Sequence, residues 1–182
     1  MLISPEYRIK TTALAEETLD QLRVVRDRFS DEQQLAMLDT VSDHIRAEWI
    51  DLDIDATMGT MSAHPRARVF GASGARPGLN GYQAIRENYL RQFKHGQNGG
   101  GIEIQRILID EDAIFLQGNI VHTLAVAVSG WPVLAAAPVE AGRTAIVRKS
   151  AALILPFEEG KVAAEFCYYD DAYTPADIDY LD

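Results

Sequence analysis

The stretch IEIQRILIDEDAIFLQGNIVH, residues 102–122, decides the fold. Ile102, Ile104, Arg106 and Leu108 alternate with Glu103, Gln105, Ile107 and Ile109, a period of two that reads as a β-strand. Asp110-Glu111-Asp112 forms a polar tip, and a second strand runs from Ala113 to about Val128. On this second strand Ile114, Leu116, Gly118, Ile120, His122 and Leu124 share one parity, so an imidazole lies on an apolar face. Beyond a loop containing Gly130, Pro132, Pro138 and Gly142, Thr144 to Phe157 and Val162 to Asp170 form a hairpin joined at Glu158-Glu159-Gly160-Lys161.

Upstream the period is helical. Thr11 or Thr12 opens a helix with Leu14, Thr18, Leu22, Val25 and Phe29 at spacings of three and four. Ser30 and Gln33 have the spacing of a capping box ahead of Leu35, Leu38, Val41, Ile45 and Trp49, which predicts a second helix over 31–50. Asp53 is placed to cap a short third helix through Met61, with Pro65 blocking its extension. Arg66 to Gly71 is a predicted strand and 71–81 a loop. Asn80 and Gln83 repeat the capping logic before Tyr82, Ile85, Tyr89 and Phe93, and His95 to Gly101 reads as a glycine-rich connector. Helices followed by antiparallel strands make an α+β fold rather than a parallel βαβ sheet. The expected organisation is one domain over 1–182, with 1–30 a helical extension of a main body at 31–175.

At 182 residues the chain is long enough to bury roughly 70% of its unfolded surface in one core. Asp and Glu number 27 against 17 Lys and Arg, and the net charge of −10 disfavours nucleic acid and anionic lipid as partners. The longest apolar runs, Leu124 to Val128 and Ala151 to Leu155, fall far short of the roughly 20 residues that span a bilayer. Met1 to Lys10 lacks the basic start and apolar run of a signal peptide, so the expected location is the cytoplasm. Cys167 is the one cysteine and has no disulfide partner.

Several motifs are excluded. Gly99-Gly100-Gly101 is followed by Ile102 and Glu103 where a phosphate-binding loop needs Lys and a hydroxyl. Asp51, Asp53 and Asp55 match the first calcium-loop spacings, but Ala56 replaces the turn glycine and Ser62 the bidentate Glu. Cys167, between Phe166 and Tyr168, reads as a small apolar residue rather than a nucleophile. His122 is either a core histidine satisfied by one hydrogen bond or a proton-transfer group aimed into a hydrophobic pocket. His64 sits where a short helix yields to a strand, His44 reads as a packed or solvated helix residue, and His95 as loop. Asp170 and Asp171 follow Phe166, Cys167, Tyr168 and Tyr169, and a carboxyl walled by aromatics has its charged form disfavoured, as suits a general acid or base. By parity Asp170 points inward with Phe166 and Tyr168, a bulge exchanges it for Asp171, and Glu165 falls on the outward parity.

Helices first, a glycine-rich loop, and a long sheet ending in EGKVAAEFCYYD (159–170) resemble the nuclear transport factor 2-like (NTF2-like) superfamily in its SnoaL-like, polyketide cyclase-like branch. The resemblance runs from about Ser30 to Thr174, and its most telling pieces are DIDATMGTM (53–61), the helix at 81–93 and the terminal hairpin. It implies a cone, in which N-terminal helices pack on a strongly curved, mostly antiparallel sheet that encloses a pocket, and a homodimer formed through the sheet. It also implies, for the enzymes of the family, proton chemistry without metal or cofactor. Carried over here, that role falls to Asp170, with Asp171 as its alternate and His122 and His64 as partners, inside walls from Trp49, Tyr89, Phe115 and Tyr168.

Three readings follow. The first is an enzyme performing an isomerisation, cyclisation, dehydration or hydrolysis on a small apolar or amphipathic molecule. The second is a non-catalytic ligand-binding or dimerisation module. The third is a cone filled by its own side chains, which a cavity too small for an organic molecule would favour.

Overall fold

The computed structural model describes residues 5–71, 74–75, 78–95, 99–124, 145–169 and 174–180. Helix α1 (Pro5–Arg26) is followed by α2 (Glu32–Ile45), which runs directly into a π-helical turn, Arg46–Asp51, and then by α3 (Ile54–Gly59). The strands are β1 (Met61–Gly71), β2 (Gly74–Ala75), β3 (Leu79–Asn80), β4 (Gly99–Ile109), β5 (Ala113–Leu124), β6 (Ala145–Glu158), β7 (Lys161–Tyr169) and β8 (Ile178–Tyr180), with α4 (Tyr82–His95) between β3 and β4. They form one mixed sheet in the order β2-β1-β7-β6-β5-β4, in which β3 also pairs with β1 and β8 with β6. Only β1 and β7 pair in parallel among these ladders. The α+β class and the antiparallel hairpins over 102–122 and 145–169 are as the alternating pattern predicts. Among the described residues no helix is long and apolar enough to cross a membrane.

The core joins Met37, Leu38, Val41 and Ile45 of α2 and Ile85 and Tyr89 of α4 to Ile114, Leu116 and Ile120 of β5 and Leu155 of β6. One of two caps differs in detail from the capping-box expectation. Asp31, not Ser30, caps α2, its Oδ1 accepting from Gln33 N and Gln34 N at 3.0 Å, because its carboxylate reaches both free amides at once. Asp53 caps α3 as expected, accepting from Asp55 N and Ala56 N, both at 3.0 Å.

The glycines expected to form a connector belong to a strand: Gly99–Gly101 open β4. The reason lies in α1, which covers this outer strand of the sheet. A Cβ at Gly101 would stand 2.5 Å from Leu14 O and 2.9 Å from Thr18 Oγ1, so only glycine lets the helix approach. Once there, α1 supplies what the unpaired strand edge lacks. Thr18 Oγ1 accepts from Ile102 N at 2.8 Å, and Gln21 Oε1 accepts from Ile104 N at 2.7 Å. A sheet edge that would otherwise invite another chain is thus closed by polar side chains of a helix. The segment expected to be an extension is therefore part of the sheet's hydrogen bonding.

The second feature that positions the site is a bulge. Ile154 pairs with Phe166 and Phe157 with Val162, so three steps along β6 answer four along β7. The extra residue switches parity within β7: above it, Glu165, Cys167 and Tyr169 face the same way as Leu153 and Ala151, while Phe166 and Tyr168 face the other. This corrects the expectation that Phe166 and Tyr168 point inward and Glu165 outward. Phe166 and Tyr168 lie on the outer face with Arg66, Arg68 and Phe70. There Phe70 stacks on Tyr168 at 4.4 Å between centroids, and the Arg66 and Arg68 guanidiniums lie 5.8 and 5.2 Å from the rings of Phe166 and Phe70.

Thr18→Val keeps the shape of the side chain but leaves the Ile102 amide facing a methyl group. It is expected to lower the unfolding free energy by about 1–3 kcal/mol, read by urea denaturation. Gly101→Val should destabilise by more, since backbone atoms of α1 must move; wild-type stability in both variants would refute the edge-closing role of α1.

Candidate functional site

Four polar side chains converge in the apolar interior. His44 comes from the last turn of α2 and Glu48 from the π-helical turn, four residues on and therefore on the same face. Tyr89 comes from α4, and Glu165 from β7 just beyond the bulge. His44 Nε2 lies 3.2 Å from Glu165 Oε1 and 3.4 Å from Glu48 Oε2. The Tyr89 hydroxyl donates to Glu165 Oε2 at 2.9 Å and stands 3.2 Å from His44 Nε2. On the other side of the ring, His44 Nδ1 is 2.6 Å from Thr60 Oγ1, whose hydroxyl donates to Thr57 O at 2.7 Å. The Thr60 proton is thereby committed, so Nδ1 carries the hydrogen of that contact and Nε2 is the nitrogen turned to the carboxylates.

The charges of this group are interlocked. Burial by itself disfavours a charged imidazole, but the hydrogen bonds and charges of Glu165 and Glu48 outweigh it and hold the His44 imidazolium up to about 10. Burial pushes Glu48 up from the usual carboxylate range, with His44 opposing. Glu165 is also raised by burial, yet its hydrogen bonds to His44 and Tyr89 and the charge of His44 bring it below that range. The two acids are thus driven apart in acidity by one cation. Tyr89 is kept protonated by burial and by the neighbouring Glu165 and Glu48 charges.

His44, Glu48 and Glu165 line a cavity of about 40 Å³ whose other walls include Val41, Trp49, Ile102, Leu116, Leu153 and Val162. That is room for one to three waters and well below the roughly 300 Å³ at which small-molecule sites begin. A larger groove of about 600 Å³ lies between α1 and β4, lined by Val24, Ile104, Arg28 and Arg106 among others. Its charged lining residues are Asp20, Arg28 and Arg106, with no histidine among them. His44, Glu48 and Glu165 also present one donor atom each within 4.8 Å of one another, a grouping that can hold a metal ion.

Of the residues nominated from the sequence, Trp49 lines this cavity and Tyr89 enters its polar cluster. His122 does lie on the inner face of β5, half-buried, with Nε2 3.1 Å from the Tyr169 hydroxyl, and burial draws its imidazole down to about 4. It does not line the cavity. His64 is exposed on β1 and is not brought to the cluster. Phe115 pairs with Ile154 on the face opposite Leu116 and Leu153, and Tyr168 is 38% exposed on the outer face, so neither walls this cavity. Asp170, Asp171 and the 131–142 segment lie outside the described residues. Cys167 faces inward beside Leu153 with its thiol pushed up to about 12 by burial, in keeping with the small apolar reading. From the sequence His44 reads as a packed or solvated helix residue and Glu165 as outward-facing, and Glu48 is not singled out. A signal for His44 and Glu48 exists: they stand three and seven residues after Val41, at the margin of the α2 apolar stripe. Glu165 carries no such signal, because its parity depends on the bulge.

Removing His44 leaves two partly buried carboxylates, 12% and 26% exposed, without a cation, so His44→Leu is expected to lower the unfolding free energy by about 3 kcal/mol near pH 6. An imidazole that titrates near 6.5 when unfolded and about 10 when folded stabilises the fold in full below pH 6.5 and loses that contribution as the pH rises through 10. The gap between wild type and His44→Leu in urea denaturation should therefore narrow from pH 6.5 to 10; a constant gap would show that His44 is not charged in the folded protein.

No model of a protein family and no curated protein sequence matches the chain. Solved structures do match. A candidate SnoaL-like polyketide cyclase from Jannaschia sp. CCS1 superposes with a TM-score of 0.59 at 14% identity, over 78% of this chain and 90% of that one. A phenazine biosynthesis-related protein from Pseudomonas aeruginosa gives 0.57 at 10% identity, over 76% and 82%. An epoxide hydrolase of M. tuberculosis, described as LEH-like, gives 0.53 at 13% identity, over 78% and 83%. At these identities it is the fold alone that is shared: helices packed on one mixed sheet, as in these SnoaL-like and epoxide hydrolase-like structures.

Proposed function

We propose that the protein performs acid–base chemistry on a small organic molecule, of the isomerase, cyclase, dehydratase or hydrolase type. The observation that carries this reading is the contact of His44 Nε2 with Glu165 Oε1 at 3.2 Å inside an apolar-walled cavity. Glu165, a carboxylate held ionised by His44 and Tyr89, is the general base. His44 and the Tyr89 hydroxyl are the donors that stabilise negative charge developing on a substrate oxygen. Glu48, the weaker acid of the pair, supplies or stores a proton next to them. Asp170, Asp171 and His122 are proposed as further proton-handling groups. We place the protein in the cytoplasm as a homodimer, a state supported by the outer-face Phe70–Tyr168 stack with Tyr168 38% exposed.

A second reading, a cone filled by its own side chains that serves structure alone, is favoured by one observation: the described cavity of about 40 Å³ admits water but no organic ligand without widening.

The test is turnover on a panel of epoxides, lactones and enones. Glu165→Gln should reduce turnover by about 10²- to 10⁴-fold with the protein still folded by circular dichroism. Asp170→Asn and Asp171→Asn made alongside read the part played by those acids. Turnover that survives Glu165→Gln moves the base elsewhere, and no turnover on any member of the panel favours a non-catalytic reading.

A further inference from the structure

We propose that His44 Nε2, Glu48 Oε2 and Glu165 Oε1 bind a divalent transition-metal ion. The spacing of the three atoms is the first ground. Donors about 2.0–2.2 Å from a shared ion sit roughly 3.0–3.4 Å apart, depending on whether the geometry is octahedral or tetrahedral. Nε2 is 3.2 Å from one carboxylate oxygen and 3.4 Å from the other, and all three atoms fall within 4.8 Å. These separations are long for charged N–H···O bonds, which favour about 2.7–2.9 Å, and a single Nε2–H cannot be directed at both oxygens.

Orientation is the second ground. A metal-binding histidine donates its other ring N–H to an oxygen that sets its tautomer, and ligating carboxylates are themselves hydrogen-bonded. Both supports are present: His44 Nδ1 is held by Thr60 Oγ1 at 2.6 Å, and Glu165 Oε2 accepts from the Tyr89 hydroxyl at 2.9 Å. The ligands are carried by a continuous helical segment and a sheet strand, so the arrangement exists before the ion arrives.

Space is the third ground. The same three side chains line the cavity of about 40 Å³, which accepts an ion with one or two waters and leaves coordination positions open. One imidazole and two carboxylates suit Zn²⁺, Mn²⁺ or Fe²⁺, whereas Ca²⁺ requires six to eight oxygens. The inference departs from the metal-free expectation raised by the fold resemblance. It uses the side chains of the proposed acid–base chemistry without resting on that chemistry: a proton and an ion are alternative occupants of the Nε2 lone pair.

The experiment is done without substrate, so the two readings fail separately. Chelator-treated full-length protein is titrated with Co²⁺ by visible absorption and with Zn²⁺ by calorimetry, and its melting temperature is measured with each ion. The expected result is one ion per chain, an intensified Co²⁺ ligand-field band and a raised melting temperature. Glu48→Gln and Glu165→Gln should each weaken binding at least tenfold. Thr60→Val, which touches no ligand atom but frees the His44 ring, should weaken it by about 10- to 100-fold. Absence of saturable binding overturns the proposal, and so does binding that all three variants, shown folded by circular dichroism, leave unchanged.

Discussion

Two carboxylates brought into an apolar interior need a cation, and the arrangement of this protein follows from how His44 meets that need. Glu48 and Glu165 come from opposite layers, one from the helical side and one from the sheet, and the imidazole stands between them at 3.4 and 3.2 Å. Desolvating either acid alone would cost several kcal/mol. The helical layer and the sheet must therefore dock in one register, because a shift of either strands a charge.

That register depends on two departures from regular geometry. The π-helical turn after α2 carries Glu48 at the point where the helix leaves the core, and π-turns of this kind are frequent at functional sites. The bulge in β7 inserts one residue between Val162 and Phe166, so that Val162 and Glu165, of opposite parity, both reach the cavity. At the far edge of the sheet, α1 closes β4 through Thr18 and Gln21, which keeps the strand from pairing with another chain. The outer face is organised differently, with arginines and aromatic rings in contact along β1 and β7 and an Arg148–Glu103 ion pair further along the sheet.

Large aromatic residues do not mark the polar cluster of the described interior. Phe166, Tyr168 and Phe115 are large and apolar, and in a regular strand they would line the concave side. In the structure they lie on the outer face, while smaller residues, Val162, Leu153 and Leu116, surround the polar cluster. The Tyr89 hydroxyl is a hydrogen-bond donor to Glu165. Its hydroxyl needed a partner once buried, and that requirement drew it to the carboxylate.

What the sequence by itself determined is the class of fold and the order of its elements. Helical and alternating periods are local properties, set by where each chain segment must turn its apolar residues, and they are legible over 11–59 and 102–124 without any knowledge of what packs against what, although α1 begins earlier, at Pro5. The α2 stripe even holds His44 and Glu48 at its margin. What only the tertiary structure decided is which acid enters the core. One extra residue in β7 reverses the faces of everything after it, and its presence depends on how β6 and β1 pair with that strand across the sheet. Because side chains alternate at a period of two, a local pattern cannot distinguish Glu165 inward from Glu165 outward; only the long-range register can.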